Sequence, residues 1–421
     1  MRVDPAPAAT PGRPPDDDLN IMIVAGEASG DLHGATLATA LRAAEPRARC
    51  FGVGGDRMAA AGVEILYHMR HLAVVGFAEV LWHLRDVRRA LNLLTHVASK
   101  QHIDAVVLLD YPDFNLTLAR RLRRAVPEIP IVYYISPQIW AWRGGRVRSI
   151  SRLVDTMLVI LPFEEELYTS AGVEVEFVGH PLLDVVESSS DRDEFAAQHG
   201  IPDGATWVGL LPGSRRVEVE RLLPHMLGAA ELLDPDAECA FLVPLSSSVD
   251  RDVYERMFKV LEPDVAARVY PISDDYYATL QHCQMAAVCS GTATLEAALM
   301  DTPSVVVYRT SWLTYNLAKS LVHVRDMALV NLIAGRRIVP ELLQHEVTAE
   351  RIASELRSFL QEDERRQEIR TALAEVRERL GSAGASQRAA RAVLRRARGE
   401  ASPEARRPPA DSPSQSLTQV S

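Results

Sequence analysis

Short apolar runs rich in β-branched residues alternate along the chain with longer segments in which apolar residues recur at helical spacing, such as "DLHGATLATALRAA" and "LTLARRLRRAV". The apolar runs lie at residues 20–26, 104–110, 129–136, 155–162 and 175–179 and then, after a polar interval, at 206–213, 239–245, 267–272, 285–291 and 303–309. Because these runs are apolar on both faces, they predict parallel strands in an α/β protein whose sheets are covered by helices on both sides.

The pattern forms two series, separated by a polar interval near "GHPLLDVVESSSDRDE" (179–194). Two series predict two Rossmann-like domains facing a cleft, and 421 residues suffice for two cores. We expect one domain over 19–185 and another over 186–396, with the last helices free to pack back on the first. Segments 1–18 and 397–421 have the composition of disordered tails.

Charge and composition exclude several classes of protein. The net charge of -10 argues against general binding to nucleic acid. The chain has 4 cysteines, no CxxC pair and no recognisable secretory signal, which indicates reduced thiols in the cytosol. No stretch reaches the roughly 18 apolar residues of a membrane span, so we expect a soluble or peripheral protein.

The loop "PGSRR" (212–216) joins an apolar strand to a helix in the second series. Gly213 lets the backbone approach a ligand closely. The start of the helix offers free N–H groups, and Arg215 adds a charged, bidentate donor. These features predict an anion site formed by Gly213, Ser214 and Arg215. A tight turn with a surface arginine fits this loop alone equally well.

A second loop in the same series, Ser290-Gly291-Thr292, also joins a strand to a helix. Its small residues leave room for a diphosphate, although Ser290 or Thr292 could instead cap the helix. Glu296 lies one turn into that helix, where a carboxylate can bind ribose hydroxyls. Both loops predict that the second domain binds the nucleotide. The glycine-rich "GVGGDRM" (52–58) has the wrong spacing for a dinucleotide site and is predicted to be a turn.

Polar residues also follow strands of the first series. Glu27, Ser29 and Asp31 follow the first strand and suit either a polyhydroxylated ligand or a capped turn. Asp110 ends another apolar strand, where partial desolvation raises the pKa of a carboxyl group and lets it act as a general base. Asp113 is either a further site carboxylate or the N-cap of the next helix.

Two aromatic and basic segments remain. The stretch 136–150 includes Trp140 and Arg143, which suit a sugar face, a phosphate or a lipid headgroup, or form a surface stack. The segment 73–94 has helical periodicity and a basic end, which is typical of a core-facing helix and also of a helix on an anionic membrane; the pattern alone favours the core. Its apolar part consists of Phe77, Val80, Leu81, Trp82 and Leu84.

Together these stretches resemble the lipid A disaccharide synthase family. The matching stretches run in family order from about residue 20 to 345 and include "VAGEASGD", "YPDFN", "SPQIWAWR", "LLPGSRRVEVE", "SGTATLEAAL" and "NLIAGR". The resemblance implies the two-domain GT-B fold and an inverting, peripheral-membrane glycosyltransferase. We expect no cofactor, and no metal because the chain has no convincing DxD motif near the end of a strand. The implied enzyme would join UDP-2,3-diacylglucosamine to 2,3-diacylglucosamine 1-phosphate at the cytoplasmic face of the inner membrane, giving a β-1,6-linked disaccharide 1-phosphate and UDP. Whether it forms a homodimer is left open.

The resemblance also implies residue roles. Asp110 fits the essential aspartate of the family and Arg215 its essential arginine. Glu296 matches the acidic residue near the ribose, and Asn331 is a further candidate on the nucleotide side. Tyr111 departs from the family pattern, which more often has alanine there. Because both implied substrates carry acyl chains, the resemblance turns segment 73–94 into an expected membrane or acyl-chain contact.

Other functions stay open on the residues alone. A UDP-N-acetylglucosamine 2-epimerase has the same fold class but needs no acceptor. The peptidoglycan transferase that uses UDP-N-acetylglucosamine is closer in chemistry and lacks "SPQIWAWR". A non-catalytic UDP-sugar or lipid-binding protein would not need Asp110 and Arg215. An NAD-dependent oxidoreductase is disfavoured, because the first strand is not followed by GxGxxG.

Overall fold

The computed structural model describes residues 18–72, 80–137, 145–187, 190–233, 238–310 and 326–400. The first part of the chain forms a parallel sheet of seven strands in the order β3-β2-β1-β4-β5-β6-β7. Its strands are β1 (Asn20–Ala25), β2 (Arg49–Gly54), β3 (Glu64–His68), β4 (Ala105–Leu109), β5 (Ile131–Tyr134), β6 (Thr156–Val159) and β7 (Glu174–Phe177). The helices between them are α1 (Ala28–Ala44), α2 (Asp56–Ala60), α3 (Val80–Lys100), α4 (Pro112–Ala125), α5 (Gly145–Ile150) and α6 (Pro162–Thr169).

The second part forms a parallel sheet of six strands in the order β10-β9-β8-β11-β12-β13. Its strands are β8 (Thr206–Leu211), β9 (Cys239–Pro244), β10 (Val269–Ile272), β11 (Met285–Cys289), β12 (Ser304–Tyr308) and β13 (Glu341–Leu343). The accompanying helices are α7 (Arg192–His199), α8 (Arg216–Leu233), α9 (Arg251–Phe258), α10 (Pro263–Ala266), α11 (Tyr276–His282), α12 (Ala293–Leu299), α13 (Leu329–Ala334), α14 (Ala349–Gln361), α15 (Asp363–Arg379) and α16 (Ala385–Ala397).

Two parallel sheets with alternating helices confirm the predicted fold class, and every predicted apolar run contains a strand. The predicted turn at 52–58 is wrong, because β2 continues to Gly54 and α2 begins at Asp56, so that only Gly55 lies between them. Gly52 lies in that strand with φ of +148°, and a β-carbon there would come within 2.1 Å of the Ile23 carbonyl oxygen. Glycine at this position therefore serves the close approach of two strands and not a turn.

The chain passes between the two sheets twice, and the two crossings are joined by hydrogen bonds. The His180 N–H donates to the Leu380 carbonyl at 3.0 Å, and Nε of Arg388 donates to the Val178 carbonyl at 2.8 Å. After the second crossing, α16 packs on α1 in the first part of the chain. Its small residues allow close helix contact, so that Ala389 shares a buried cluster with Leu37.

Candidate active site

Strands β1 and β4 are neighbours, with Ala25 opposite Leu109, so the residues that follow them meet at one edge of the sheet. Asp110 follows β4 with φ of 41°, and Tyr111 follows with φ of 44°. Left-handed conformations are costly for such residues and persist where surrounding contacts enforce them. The Asp110 carbonyl accepts hydrogen bonds from Nδ2 of Asn115 and from the Tyr133 hydroxyl, each at 2.6 Å. The carboxyl group is therefore carried by a backbone fixed in one conformation.

The electrostatic surroundings of Asp110 suit a proton acceptor. Burial and, to a smaller extent, the nearby Glu27 carboxylate raise the pKa of its carboxyl group to about 6, against the opposing effect of a hydrogen bond from the Tyr111 backbone. A carboxylate with a pKa of this size is ionised at neutral pH and is still a stronger base than a solvated aspartate.

Tyr111 forms the wall next to Asp110. Its ring lies against Gly26 and stacks on Phe114 with centroids 5.8 Å apart. Its hydroxyl donates to the Leu72 carbonyl at 3.1 Å. The Tyr111 side chain thus contacts three segments around Asp110, which gives a physical reason for an aromatic residue at this position.

The other predicted acceptor-side residues divide into different environments. Glu27 and Ser29 are exposed at the start of α1, and Asp113 is exposed in the first turn of α4. The N-cap of α4 is Tyr111, so the helix-cap interpretation of Asp113 is wrong. Trp140 and Arg143 lie outside the described residues.

Asp31 requires a correction. It is buried, with 4% of its surface exposed. Its carboxylate accepts hydrogen bonds from the backbone N–H groups of Gly55, Arg57 and Met58 at 2.7–3.1 Å. These bonds hold the start of α2 on α1, so we remove Asp31 from the proposed acceptor contacts.

The loop 212–216 presents its arginine to solvent. Gly213 has φ of +104°, and a β-carbon there would come within 2.5 Å of Glu218 Oε2, so glycine is required. The Ser214 carbonyl accepts a hydrogen bond from Ser248 Oγ at 2.6 Å. The Arg215 side chain is 83% exposed and pairs with Glu218 at 3.2 Å. The backbone of the loop is braced while its guanidinium group remains accessible.

The loop 290–292 lies beside it, because β8 and β11 pair with Leu211 opposite Val288. Gly291 has φ of +147°, and a β-carbon there would meet nothing within 4 Å. Thr292 occupies the N-cap position of α12, but its side chain makes no capping hydrogen bond within the described part of the chain. Open space and an uncommitted hydroxyl are what a diphosphate site needs.

The Glu296 carboxylate accepts hydrogen bonds from two tyrosines that were not predicted as site residues. Tyr276 donates to its Oε2 at 2.9 Å and Tyr277 to its Oε1 at 3.3 Å. Burial raises the pKa of the Glu296 carboxyl group, and the two tyrosine hydrogen bonds lower it. These tyrosines begin α11. The pair of adjacent tyrosines in the sequence, separated from β10 by Ser273, Asp274 and Asp275, was the available signal.

Asn331 also requires a correction. It is 1% exposed. Its Nδ2 donates to the Val339 carbonyl and to Glu341 Oε1, and its Oδ1 accepts from the N–H groups of Ile338 and Val339, all at 2.7–3.0 Å. The amide is fully used inside the fold. We therefore assign Asn331 to the support of the chain before β13 and not to the nucleotide.

The expected membrane contact lies largely outside the described residues. Phe77 is not described, and of Val80, Leu81 and Trp82 only the backbone at the start of α3 is described. Leu84 is 47% exposed. None of the described helices is both long enough and apolar enough to cross a membrane.

The family of the chain follows from comparison with known proteins. Residues 21–395 match the family model of lipid-A-disaccharide synthetase. The lipid-A-disaccharide synthase of Syntrophus aciditrophicus is 46% identical over 372 residues, which cover 88% of this chain and 96% of that protein. The chain belongs to the lipid-A-disaccharide synthase family. It is thus a glycosyltransferase of lipid A biosynthesis, as expected, and neither the epimerase nor the binding-protein alternative is favoured.

Solved structures share the fold of this family member at low sequence identity. The glycosyltransferase of kitacinnamycin superimposes with a TM-score of 0.59 at 15% identity, covering 90% of this chain and 98% of its own. The UDP-GlcNAc 2-epimerase of Neisseria meningitidis, solved bound to UDP-GlcNAc, gives a TM-score of 0.56 at 13% identity and covers 86% of this chain and 99% of its own. These likenesses concern the fold alone.

Proposed function

We propose that this synthase joins UDP-2,3-diacylglucosamine to 2,3-diacylglucosamine 1-phosphate, giving the β-1,6-linked disaccharide 1-phosphate and UDP. The single observation that carries the mechanism is the fixed, partly buried Asp110 carboxyl group at the end of β4, with its pKa raised to about 6. Residues 19–185 form the acceptor side in this proposal, and residues 186–396 form the donor side.

Asp110 acts as the general base. The 6-hydroxyl of the acceptor attacks the anomeric carbon of the donor, its proton passes to the Asp110 carboxylate, and the bond from that carbon to the UDP oxygen breaks. Attack from the face opposite UDP inverts the anomeric centre. Proton transfer of this kind typically contributes ~10²–10⁴ in rate. Glu27, Ser29, Asp113, Trp140 and Arg143 are the proposed acceptor-side residues.

Arg215 stabilises the negative charge that grows on the departing diphosphate. The guanidinium group is exposed on a braced loop, beside the open space at Gly291. Loss of one donor aimed at a developing charge commonly costs ~10²–10³ in rate. The proposed donor contacts are Gly213, Ser214, Arg215, Ser290, Gly291, Thr292 and Glu296.

We also propose that the enzyme acts at the cytoplasmic face of the inner membrane. Both proposed substrates carry acyl chains, which must reach the active site from a lipid phase. The exposed Leu84 and the basic end of the 73–94 segment are consistent with a peripheral contact. This contact would place the acceptor domain against the bilayer.

The test is release of UDP from UDP-2,3-diacylglucosamine, with and without 2,3-diacylglucosamine 1-phosphate, in detergent that contains EDTA. We expect release only with the acceptor, together with a disaccharide product, and no loss of rate with the chelator. Release without acceptor would indicate hydrolysis or epimerase-like chemistry. No release with any acceptor or metal would overturn the substrate assignment.

A further inference from the structure

A cavity of about 390 Å³ lies between α8 and the end of β12. Its lining consists of Glu220, Arg221, Pro224, His225, Arg309 and Thr310. Arg309 and Thr310 directly follow β12, which pairs with β11, the strand that leads to Ser290. The cavity therefore opens at the carboxyl edge of the second sheet, next to the loops proposed for the diphosphate.

Among the charged side chains of the lining, the acidic one is already in an ion pair, whereas two basic ones remain available for a ligand. Glu220 already pairs with Arg216 at 2.8 Å. Among the described residues, Arg221 forms no hydrogen bond or ion pair. Nη1 of Arg309 contacts Nε2 of His225, whose pKa is lowered by burial and by this arginine and raised by Glu350. Arg309 thus donates to the His225 imidazole and has no carboxylate partner among the described residues.

This set of donors matches a phosphate monoester. Two guanidinium groups, an imidazole and the Thr310 hydroxyl can donate to its three terminal oxygens. A bound dianion would lie between the guanidinium groups of Arg221 and Arg309. Its negative charge would favour protonation of His225. The UDP phosphates are already assigned to the loops at Gly213 and Gly291, so this cavity would hold a different phosphate.

We propose that the cavity binds the 1-phosphate of the acceptor, so that the acceptor extends from the base Asp110 to the second part of the chain, which also holds the donor. This inference rests on the proposed function. Arg221 and His225 lie about 8–14 Å along α8 from Arg216, at a rise of 1.5 Å per residue. The acceptor's reacting hydroxyl must approach the donor's anomeric carbon beside the diphosphate loops, and its own phosphate lies one sugar ring away. The cavity lies beside these loops at the same edge of the second sheet, where the phosphate of the bound acceptor would have to lie.

The kinetic test compares the double variant Arg221→Gln/Arg309→Gln with wild type on two acceptors, with and without the 1-phosphate. We expect KM for the phosphorylated acceptor to rise roughly 10- to 100-fold, the effect of losing charge-assisted hydrogen bonds. KM for the acceptor that lacks phosphate should not change. The control Arg256→Gln/Lys259→Gln removes two positive charges from the exposed end of α9 and should leave both values unchanged. Equal effects on both acceptors would overturn the proposal.

A second measurement does not depend on activity. Glucosamine 1-phosphate is titrated into the full chain while the imidazole signal of His225, assigned with His225→Gln, is followed by NMR. We expect the ligand to shift the signal and raise the pKa of His225 in wild type but not in the double variant; no shift would overturn the proposal. A wild type without transferase activity but with this shift would overturn only the proposed function.

The same chemistry also occurs in phosphatidic acid, so flotation with phosphatidic acid vesicles separates the two sources. We expect equal flotation of wild type and Arg221→Gln/Arg309→Gln. Reduced flotation of the variant, together with an unchanged KM ratio for the two acceptors, would assign the cavity to a lipid headgroup and overturn the acceptor assignment.

Discussion

The ring of Tyr111 lies so close to Gly26 that a β-carbon on Gly26 would come within 2.1 Å of ring atom Cδ1. This contact joins the end of β1 to the residue that follows Asp110. We expect Gly26→Ala to push the ring, and with it the Asp110 backbone, out of place. Displacement of a catalytic group by about 1 Å can cost ~10² in rate, so we predict a loss of that order in kcat.

The double variant Gly26→Ala/Tyr111→Ala provides the control. Removal of the ring relieves the clash with the new β-carbon at position 26, so most of the lost kcat should return. The measurement is steady-state UDP release for both variants. If Tyr111→Ala fails to rescue Gly26→Ala, the contact does not position Asp110.

The raised pKa of Asp110 predicts a pH profile. Only the ionised carboxylate can accept the proton, so kcat/KM should rise with pH and level off above about 6. Asp110→Asn should lose turnover at every pH while it still binds UDP, as measured by calorimetry. Near-normal turnover of Asp110→Asn across the pH range would show that another group is the base.

The same shift predicts an effect on stability. A folded-state pKa above the ordinary aspartate value of 3.8 means that the fold disfavours the ionised form, so stability falls as pH rises from 3.8 to about 6. Asp110→Asn removes this penalty and should raise Tm at pH 7–8, with the difference vanishing near pH 4. Asp203→Asn, at an exposed loop position, is the control and should show no such pattern.

The sequence predicted most of the scaffold because buried parallel strands are apolar on both faces, as β4 and β11 are. It missed β2, β3 and β13 for physical reasons. Glycines interrupt β2, β3 is a half-buried edge strand, and β13 has only three residues. None of the three forms a long apolar run.

The positions of Asp110 and Arg215 in loops that follow strands were predictable from the apolar runs before them, while their catalytic roles stay proposals. The residues that hold the Asp110 backbone were not predictable, because Asn115 and Tyr133 reach the Asp110 carbonyl only in the tertiary fold. Asp31 and Asn331 were misassigned for the same reason. A polar residue in a motif binds either a ligand or its own backbone, and sequence does not distinguish the two.

Asn331 offers a test of that correction. Asn331→Ala leaves buried N–H groups at Ile338 and Val339 without partners, each costing ~1–3 kcal/mol. We predict a loss of roughly 2–5 kcal/mol in the free energy of unfolding, with unchanged UDP affinity for the folded protein. Normal stability with weakened UDP binding would return Asn331 to the nucleotide site.

The tyrosine pair at Glu296 predicts a separate effect on the donor. Tyr276→Phe/Tyr277→Phe removes the hydrogen bonds that favour the ionised carboxylate, so its pKa should rise further. We expect KM for the UDP-sugar to rise roughly tenfold, with kcat largely retained, and its pH dependence to move to higher pH. Tyr270→Phe, on β10, is the matched control. A change in kcat alone would contradict a donor-binding role.

The membrane contact is tested with Phe77→Ser/Trp82→Ser. If these residues insert among acyl chains, each polar replacement gives up apolar burial of about 1.5–3 kcal/mol, so flotation with anionic vesicles should fall steeply while activity on detergent-dispersed substrates persists. Val260→Ser, at a side chain 82% exposed in the second part of the chain, is the control and should float like wild type. The contradicting outcome is a double variant that folds poorly but whose folded fraction floats normally. It would indicate that the segment packs in the core, since polar replacement in a buried helix lowers stability without weakening membrane binding.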